Sequence, residues 1–268
     1  MVGTAFAVRD GVFDGWAAML CLGFALLVQI GTNFANDYYD FIRGADTAAR
    51  VGPRRAVAAG LIAPGTMRRA MGWVFAAAFA CGFGLVAWGG LWLLVIGIAS
   101  ILCGIAYTGG PWPLGYNGLG DLFVFLFFGL VAVGATYFVQ AGALATDVLV
   151  AAIPIGLLAA NILVVNNYRD AETDAVAGKR TLVVRFGRRA ARVQHAASLG
   201  VALAVPLLFF GQQRDLWRLA PLLIAPLGWA HIRRLREEDS PAERIALLGD
   251  TGKLLAIYAL FLGLSVVL

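Results

Sequence analysis

Val148-Leu-Val-Ala-Ala-Ile-Pro-Ile-Gly-Leu-Leu-Ala-Ala-Asn161-Ile-Leu-Val-Val165 contains no charged residue, and it runs directly into Asn166-Asn167-Tyr168-Arg169-Asp170-Ala-Glu172-Thr-Asp174. An uncharged run of about 20 residues is what an α-helix needs to cross the ~30 Å hydrocarbon core of a bilayer. Working outward from this run (near 147–166), seven more lie near 16–35, 70–88, 91–108, 120–139, 193–210, 217–232 and 252–268. The composition agrees. Of 268 residues, 60% are hydrophobic and only 14% charged, against about 25% charged in a soluble domain. Too few charges remain to coat a water-soluble globule, and that class is excluded. Pro154, Pro206, Pro221 and Pro226 fall inside runs, where a membrane helix tolerates them, and the 33 glycines suit close helix contacts in lipid. The expected fold is all-α: a single polytopic transmembrane helix bundle over 1–268.

The charges orient it. Of the 21 Lys and Arg residues, 18 fall in three stretches, between Asn36 and Arg69, between Asn167 and Arg192, and between Arg233 and Lys253. Only Arg9, Arg214 and Arg218 lie elsewhere. The positive-inside rule places all three stretches in the cytoplasm, and eight spans satisfy that parity. The net charge of +5 therefore marks loops rather than nucleic-acid binding, since no basic domain with interleaved aromatics occurs. Cys21, Cys81 and Cys103 lie in apolar runs with no CxxC pair and read as packing residues.

Two of the basic stretches also carry acids. The first reads Asn33-Phe-Ala-Asn36-Asp37-Tyr-Tyr-Asp40-Phe-Ile-Arg43-Gly44-Ala-Asp46. On a helix, Asn33, Asn36, Asp37 and Asp40 share one face. In the second, Asn167, Asp170 and Asp174 do the same, followed by Gly178-Lys179-Arg180-Thr181. The pairs are 133 and 134 positions apart (37 to 170, 40 to 174), which suggests a duplication of about four helices. Carboxylates gathered at a membrane face are costly unless cations compensate them. Oxygen ligands favour Mg2+ or Ca2+, and Mg2+ is commonly held by carboxylates together with substrate phosphates. Arg43, Arg54, Lys179 and Arg180 could take phosphate oxygens directly. Together these residues point to a diphosphate site at the cytoplasmic end of the bundle, with an apolar chamber behind it.

At these residues the sequence resembles the UbiA-type intramembrane prenyltransferases. Their NDxxD motif matches Asn36-Asp37-Tyr-Tyr-Asp40, and their second acidic motif matches Asp170-Ala-Glu-Thr-Asp174. The branch acting on 1,4-dihydroxy-2-naphthoate in menaquinone synthesis is similar in Gly44-Ala-Asp46, in Gly52-Pro53 with Arg55, in Asn166-Asn167-Tyr-Arg169-Asp170 and in Gly178-Lys179-Arg-Thr181-Leu182. The run Ala106-Tyr107-Thr108-Gly109-Gly110-Pro111-Trp-Pro113-Leu-Gly115-Tyr116 fits it too. The resemblance implies transfer of a polyprenyl group from its diphosphate to the naphthoate with loss of CO2. It implies Mg2+ on Asp37, Asp40, Asp170 and Asp174, with Asp46, Glu172 and Asp121 as further candidates. Asn36, Tyr107 and Lys179 would act on the diphosphate, and Asn33, Arg43, Arg54, Arg55, Asn167, Arg169 and Arg180 would bind it. The family has nine helices, and Met1–Ala7 resembles only the tail of the first. The expectation is thus eight complete spans plus a remnant of a ninth, arranged as two pseudo-repeats in the plasma membrane. A further departure is Asp121, where the branch has Glu.

Other readings remain. A different aromatic acceptor would leave the same motifs, whereas a transporter would carry its carboxylates at midplane rather than at helix ends. A head-group phosphotransferase would pack its acids into one motif. Gly178-Lys179-Arg180-Thr181 is not a P-loop, lacking the earlier glycine. His195 and His231 read as interfacial packing.

Overall fold

The computed structural model describes residues 1–46, 52, 54–237 and 240–268. Arg50 and Pro53 lie outside the described residues. Among these, every regular element is helical: α1 (Val2–Arg9), α2 (Gly15–Ile42), α3 (Pro64–Gly84), a single turn α4 (Val86–Gly89), α5 (Trp92–Ala106), α6 (Gly120–Val124), α7 (Ala132–Ala141), α8 (Thr146–Val176), α9 (Leu182–Gln213), α10 (Ala225–Glu237) and α11 (Pro241–Val267). A π-helical stretch, Phe125–Val131, joins α6 to α7. Tighter 3-10 turns occupy Gly115–Asn117 and Leu216–Ile224.

Among the described residues, six stretches are long and apolar enough to cross a bilayer: Gly15–Ile42, Pro64–Gly89, Gly120–Ala141, Thr146–Val176, Leu182–Gln212 and Ala242–Val267. The lipid-facing side of α2 is visible directly. Trp16, Met19, Leu22, Leu26 and Ile30 recur every three or four residues and all are exposed, a pattern water would not tolerate and acyl chains favour. The chain is a multi-pass membrane protein. Two of the eight expected spans take a different form. The run near 91–108 is the 15-residue helix α5, about 22 Å long at 1.5 Å per residue. The run near 217–232 divides into the 3-10 stretch and α10. Pro221 and Pro226 lie there, each lacking the N–H that a continuous α-helix would use.

The chain resolves into two compact units. One comprises Met1–Asp14, Asp121–Arg169 and Phe186–Leu268. Its core joins Phe6, Val148, Leu158, Ile224, Tyr258 and Leu262, and the Tyr258 hydroxyl donates to the Ala202 carbonyl at 2.7 Å. Helix packing there depends on small residues. A Cβ on Gly129 would stand 2.7 Å from the Gly156 Cα, so the π-helical stretch and α8 meet backbone to backbone, as small-residue contacts in lipid allow. His195 and His231, read as packing residues, are buried in this unit. Asp121 is buried too and accepts from Gln194 Nε2 at 2.8 Å.

The other unit comprises Gly15–Gly120 and Asp170–Arg185. Its centre is the packing of α2 on α3 and α5, where Ala35, Met71 and Phe75 are buried against Phe34, Tyr39, Ile101 and Ile105. Gly31 leaves room for the Phe75 ring. This unit holds both acidic motifs.

Candidate active site

The NDxxD helix does not stop at the apolar run. α2 continues unbroken to Ile42, so its last two turns present Asp37 and Asp40 inward, 7% and 2% exposed. Asn36 is half-buried and Asn33 is exposed. Three further segments of the same unit close around them: the turn after Arg55, the loop from Tyr107 to Gly118, and the end of α8 with the residues that follow.

Each acid has a distinct setting. Asp37 is clamped by backbone, its Oδ2 accepting from Ala56 N–H at 3.0 Å and its Oδ1 from Val57 N–H at 3.2 Å. Asp40 Oδ1 accepts from the Tyr116 hydroxyl at 2.7 Å, and its Oδ2 lies 3.7 Å from Lys179 Nζ. Asp174 also faces that ammonium, at 3.5 Å. Lys179 therefore bridges the first acidic motif to the second. It is held there partly by its own backbone, whose N–H donates to the Asp174 carbonyl at 2.9 Å. Asp170 is buried one turn before Asp174, while Glu172 between them is exposed.

The loop from Tyr107 to Gly118 supplies neutral partners. Thr108 Oγ1 donates to Asn36 Oδ1 at 3.0 Å. Arg43 donates through Nε to the Thr108 carbonyl at 3.1 Å and through a second nitrogen to the Gly110 carbonyl. The Tyr116 carbonyl accepts from Arg180 N–H at 2.7 Å. Gly118 has φ +77°, and a Cβ there would stand 2.8 Å from the Arg180 carbonyl oxygen, so only glycine fits without strain. Burial pushes the Tyr116 hydroxyl above its ordinary range, and the Asp40 charge adds to the effect. It is a donor at neutral pH.

The expected site residues thus divide. Asn36, Asp37, Asp40, Arg43, Asp174 and Lys179 come together, with Tyr107 at the start of the loop. Arg54 and Arg180 are exposed at the margin, and Arg55 and Asp46 are half-buried. Asn167, Arg169 and Asp121 belong to the other unit, where Arg169 donates to Asn166 Oδ1 at 2.9 Å. Sequence reasoning passed over Thr108 and Tyr116 as site residues. Both sit inside a quoted run, yet no spacing rule ties position 116 to position 40.

The donor set fits a hard divalent cation. Four buried carboxylates offer oxygen only, and Asp40 with Asp174 already share one positive charge. Among the described residues no three carboxylate, imidazole or thiol groups form a ready-made metal cage. An apolar cleft of this unit, lined by Phe24, Phe79, Gly82 and Leu93 among others, lies toward the far end of α5, roughly 20 Å along the helix from Tyr107, away from the place expected for the apolar chamber.

Comparison with known proteins extends over the same residues. A 1,4-dihydroxy-2-naphthoate octaprenyltransferase of Haemophilus influenzae is 40% identical over 208 residues, covering 74% of this chain and 66% of the relative. The protein of that name from Escherichia coli is 38% identical over 262 residues, 94% of this chain and 84% of the relative. A solved UbiA homolog from Archaeoglobus fulgidus bound to DMAPP and Mg2+ superposes with a TM-score of 0.65 at 17% identity, over 99% of this chain and 95% of that one, a likeness of fold. The model of the UbiA prenyltransferase family matches residues 1–263, and the chain belongs to that family.

Proposed function

We propose that this chain transfers a polyprenyl group from polyprenyl diphosphate to 1,4-dihydroxy-2-naphthoate with loss of CO2, giving demethylmenaquinol at the cytoplasmic face of the plasma membrane. The observation that carries the reading is Lys179, which stands between Asp40 and Asp174 and so draws the two acidic motifs into one site. Two relatives that carry the naphthoate octaprenyltransferase name and the Archaeoglobus fulgidus homolog bound to DMAPP and Mg2+ support it.

Asp37, Asp40, Asp170 and Asp174 would hold Mg2+, whose charge stabilises a departing diphosphate. Lys179 and Arg43 add fixed positive charge where negative charge develops as the allylic C–O bond breaks. Asn36, held by Thr108, and Tyr107 orient the diphosphate, with Arg54, Arg55 and Arg180 at the margin. The C–O electron pair leaves with the diphosphate, and the allylic carbon bonds to the electron-rich naphthoate ring. The ring's carboxylate then departs as CO2, and its bonding pair restores aromaticity.

Eight crossings suit this site better than six. The Tyr116 hydroxyl reaches Asp40 at the C-terminal end of α2, so the chain between them must leave that membrane face and return. Pro64–Gly89 supplies one crossing, and α5 is the helix that can supply the second. The same parity holds for α10, which returns the chain so that Arg234 can meet Asp250 of α11 at 2.7 Å.

Purified protein given Mg2+, a polyprenyl diphosphate and dihydroxynaphthoate is expected to yield a prenylated, decarboxylated quinol by mass spectrometry. Asp37→Ala and Asp174→Ala are expected to abolish it. Product from another aromatic acceptor in a panel, and none from the naphthoate, would move the reading within the family. No product from any acceptor would remove it.

A further inference from the structure

We propose that Tyr116 is a positioning residue with two separable duties: its hydroxyl fixes Asp40 for the divalent cation, and its ring holds Arg43 and Lys179 ready for the diphosphate. The proposal rests on the diphosphate reading above and assigns work to a side chain outside either acidic motif.

Three charged groups of the site converge on this residue. Asp40, 2% exposed, receives the hydroxyl at 2.7 Å. Lys179 Nζ lies 4.9 Å and Arg43 Cζ 5.5 Å from the ring centroid, both within the ~6 Å reach of a cation–π contact. The backbone that carries the ring is anchored, the Tyr116 carbonyl accepting from Arg180 N–H at 2.7 Å.

The choice of partner matters chemically. A carboxylate would hold an arginine or lysine while cancelling its charge. An aromatic face attracts the cation through its quadrupole and leaves the net charge intact. Arg43 is treated in that manner, its guanidinium donating to the Thr108 and Gly110 backbone carbonyls. Lys179 does face two carboxylates, but at 3.5 and 3.7 Å, longer than the 2.7–2.9 Å of a tight charged bond. Arg43 is thus held by neutral partners, as a site for an incoming polyanion requires, whereas Lys179 is shared by Asp40 and Asp174 and held between them and the ring. The hydroxyl does the complementary work. It occupies one Asp40 oxygen and orients the other, so the carboxylate meets a metal ion in one geometry.

Two substitutions separate the duties. Tyr116→Phe keeps the ring and loses the donor, whereas Tyr116→Leu loses both. The purified full chain in detergent is titrated calorimetrically with inorganic pyrophosphate at saturating Mg2+, then with Mg2+ at fixed pyrophosphate, and its melting temperature is recorded. For Tyr116→Phe the expected result is pyrophosphate affinity within about twofold of wild type and a half-saturating Mg2+ concentration raised about fivefold. For Tyr116→Leu, pyrophosphate affinity at saturating Mg2+ is expected to fall about tenfold. The idea is overturned if the two variants shift both titrations alike, or if Tyr116→Leu binds pyrophosphate as wild type does. A loss confined to melting temperature would also overturn it, leaving Tyr116 a packing residue. Wild-type protein that binds no pyrophosphate with Mg2+ removes the diphosphate reading and this proposal together. Binding by wild type with both variants unchanged removes this proposal alone.

Discussion

Asp37 serves two purposes that draw on the same carboxylate. Its motif position makes it a proposed metal ligand, yet both oxygens accept backbone N–H groups from Ala56 and Val57. A carboxylate has about four acceptor sites, so two such bonds leave capacity for a cation while tying down the turn that follows Arg54 and Arg55. Hydrogen bonds to a charged group contribute about 1.5–3 kcal/mol each. Asp37→Ala is therefore expected to loosen that turn and speed tryptic cleavage after Arg54 or Arg55 by at least about tenfold. Digestion of both proteins under native conditions measures it, and equal cleavage rates would show that the turn holds itself. The first purpose of Asp37 is legible in the sequence, because helical spacing puts it beside Asp40. The second is not, since it depends on where a turn 19 and 20 residues downstream folds back. Tyr116 escaped for the same reason, as its partners at 40, 43 and 179 share no periodicity with it.

At the scale of elements, hydrophobic length read well where composition alone decides it, as in α2, α8 and α11. It read less well where proline intervenes, so the apolar stretch near 217–232 divides, and where a helix is shortened, as in α5. The small helix α1 poses a different question, being too short to hold its place by propensity. It is seated by burial of Val2, Phe6 and Ala7 and by polar contacts at its end. Arg9 donates to Asp10 at 2.7 Å and to Asp147 at 2.5 Å, and the Tyr137 hydroxyl donates to Asp10 at 2.7 Å. The bond from Arg9, followed by that from Tyr137, holds the Asp10 carboxyl below its ordinary range. A depressed folded-state value stabilises above the ordinary carboxylate pKa of about 3.9, and the benefit is lost as pH falls through the folded-state value. Asp10→Asn is accordingly expected to lower the melting temperature by a few degrees at most near pH 7, because the group is largely exposed. The gap to wild type should narrow as pH drops below about 4. A difference that stays constant from pH 7 to pH 3 would assign the effect to Tyr137 packing rather than to charge.

For the whole molecule, the decisive relation is between charge and parity. Both acidic motifs close helices that enter the face where Lys and Arg concentrate, and the bridge from Asp40 through Lys179 to Asp174 requires those two helix ends to share one side of the membrane. Between them run Pro64–Gly89, α5, Gly120–Ala141 and α8. If α5 did not cross, three crossings would place Asp174 opposite Asp40. On the proposed eight-crossing reading, a helix of about 22 Å spans a ~30 Å core, with the flanking turn at Gly89–Leu91 and local thinning of the bilayer making up the difference. Single cysteines in a chain whose own three are replaced by alanine test this with a membrane-impermeant maleimide, applied to intact spheroplasts and to inverted vesicles. Gly44→Cys and Trp112→Cys are expected to label only in inverted vesicles, and Gly90→Cys and Gly142→Cys only in spheroplasts. Labelling of Trp112→Cys from outside would detach the Tyr116 loop from the acidic site and leave α5 as a re-entrant element.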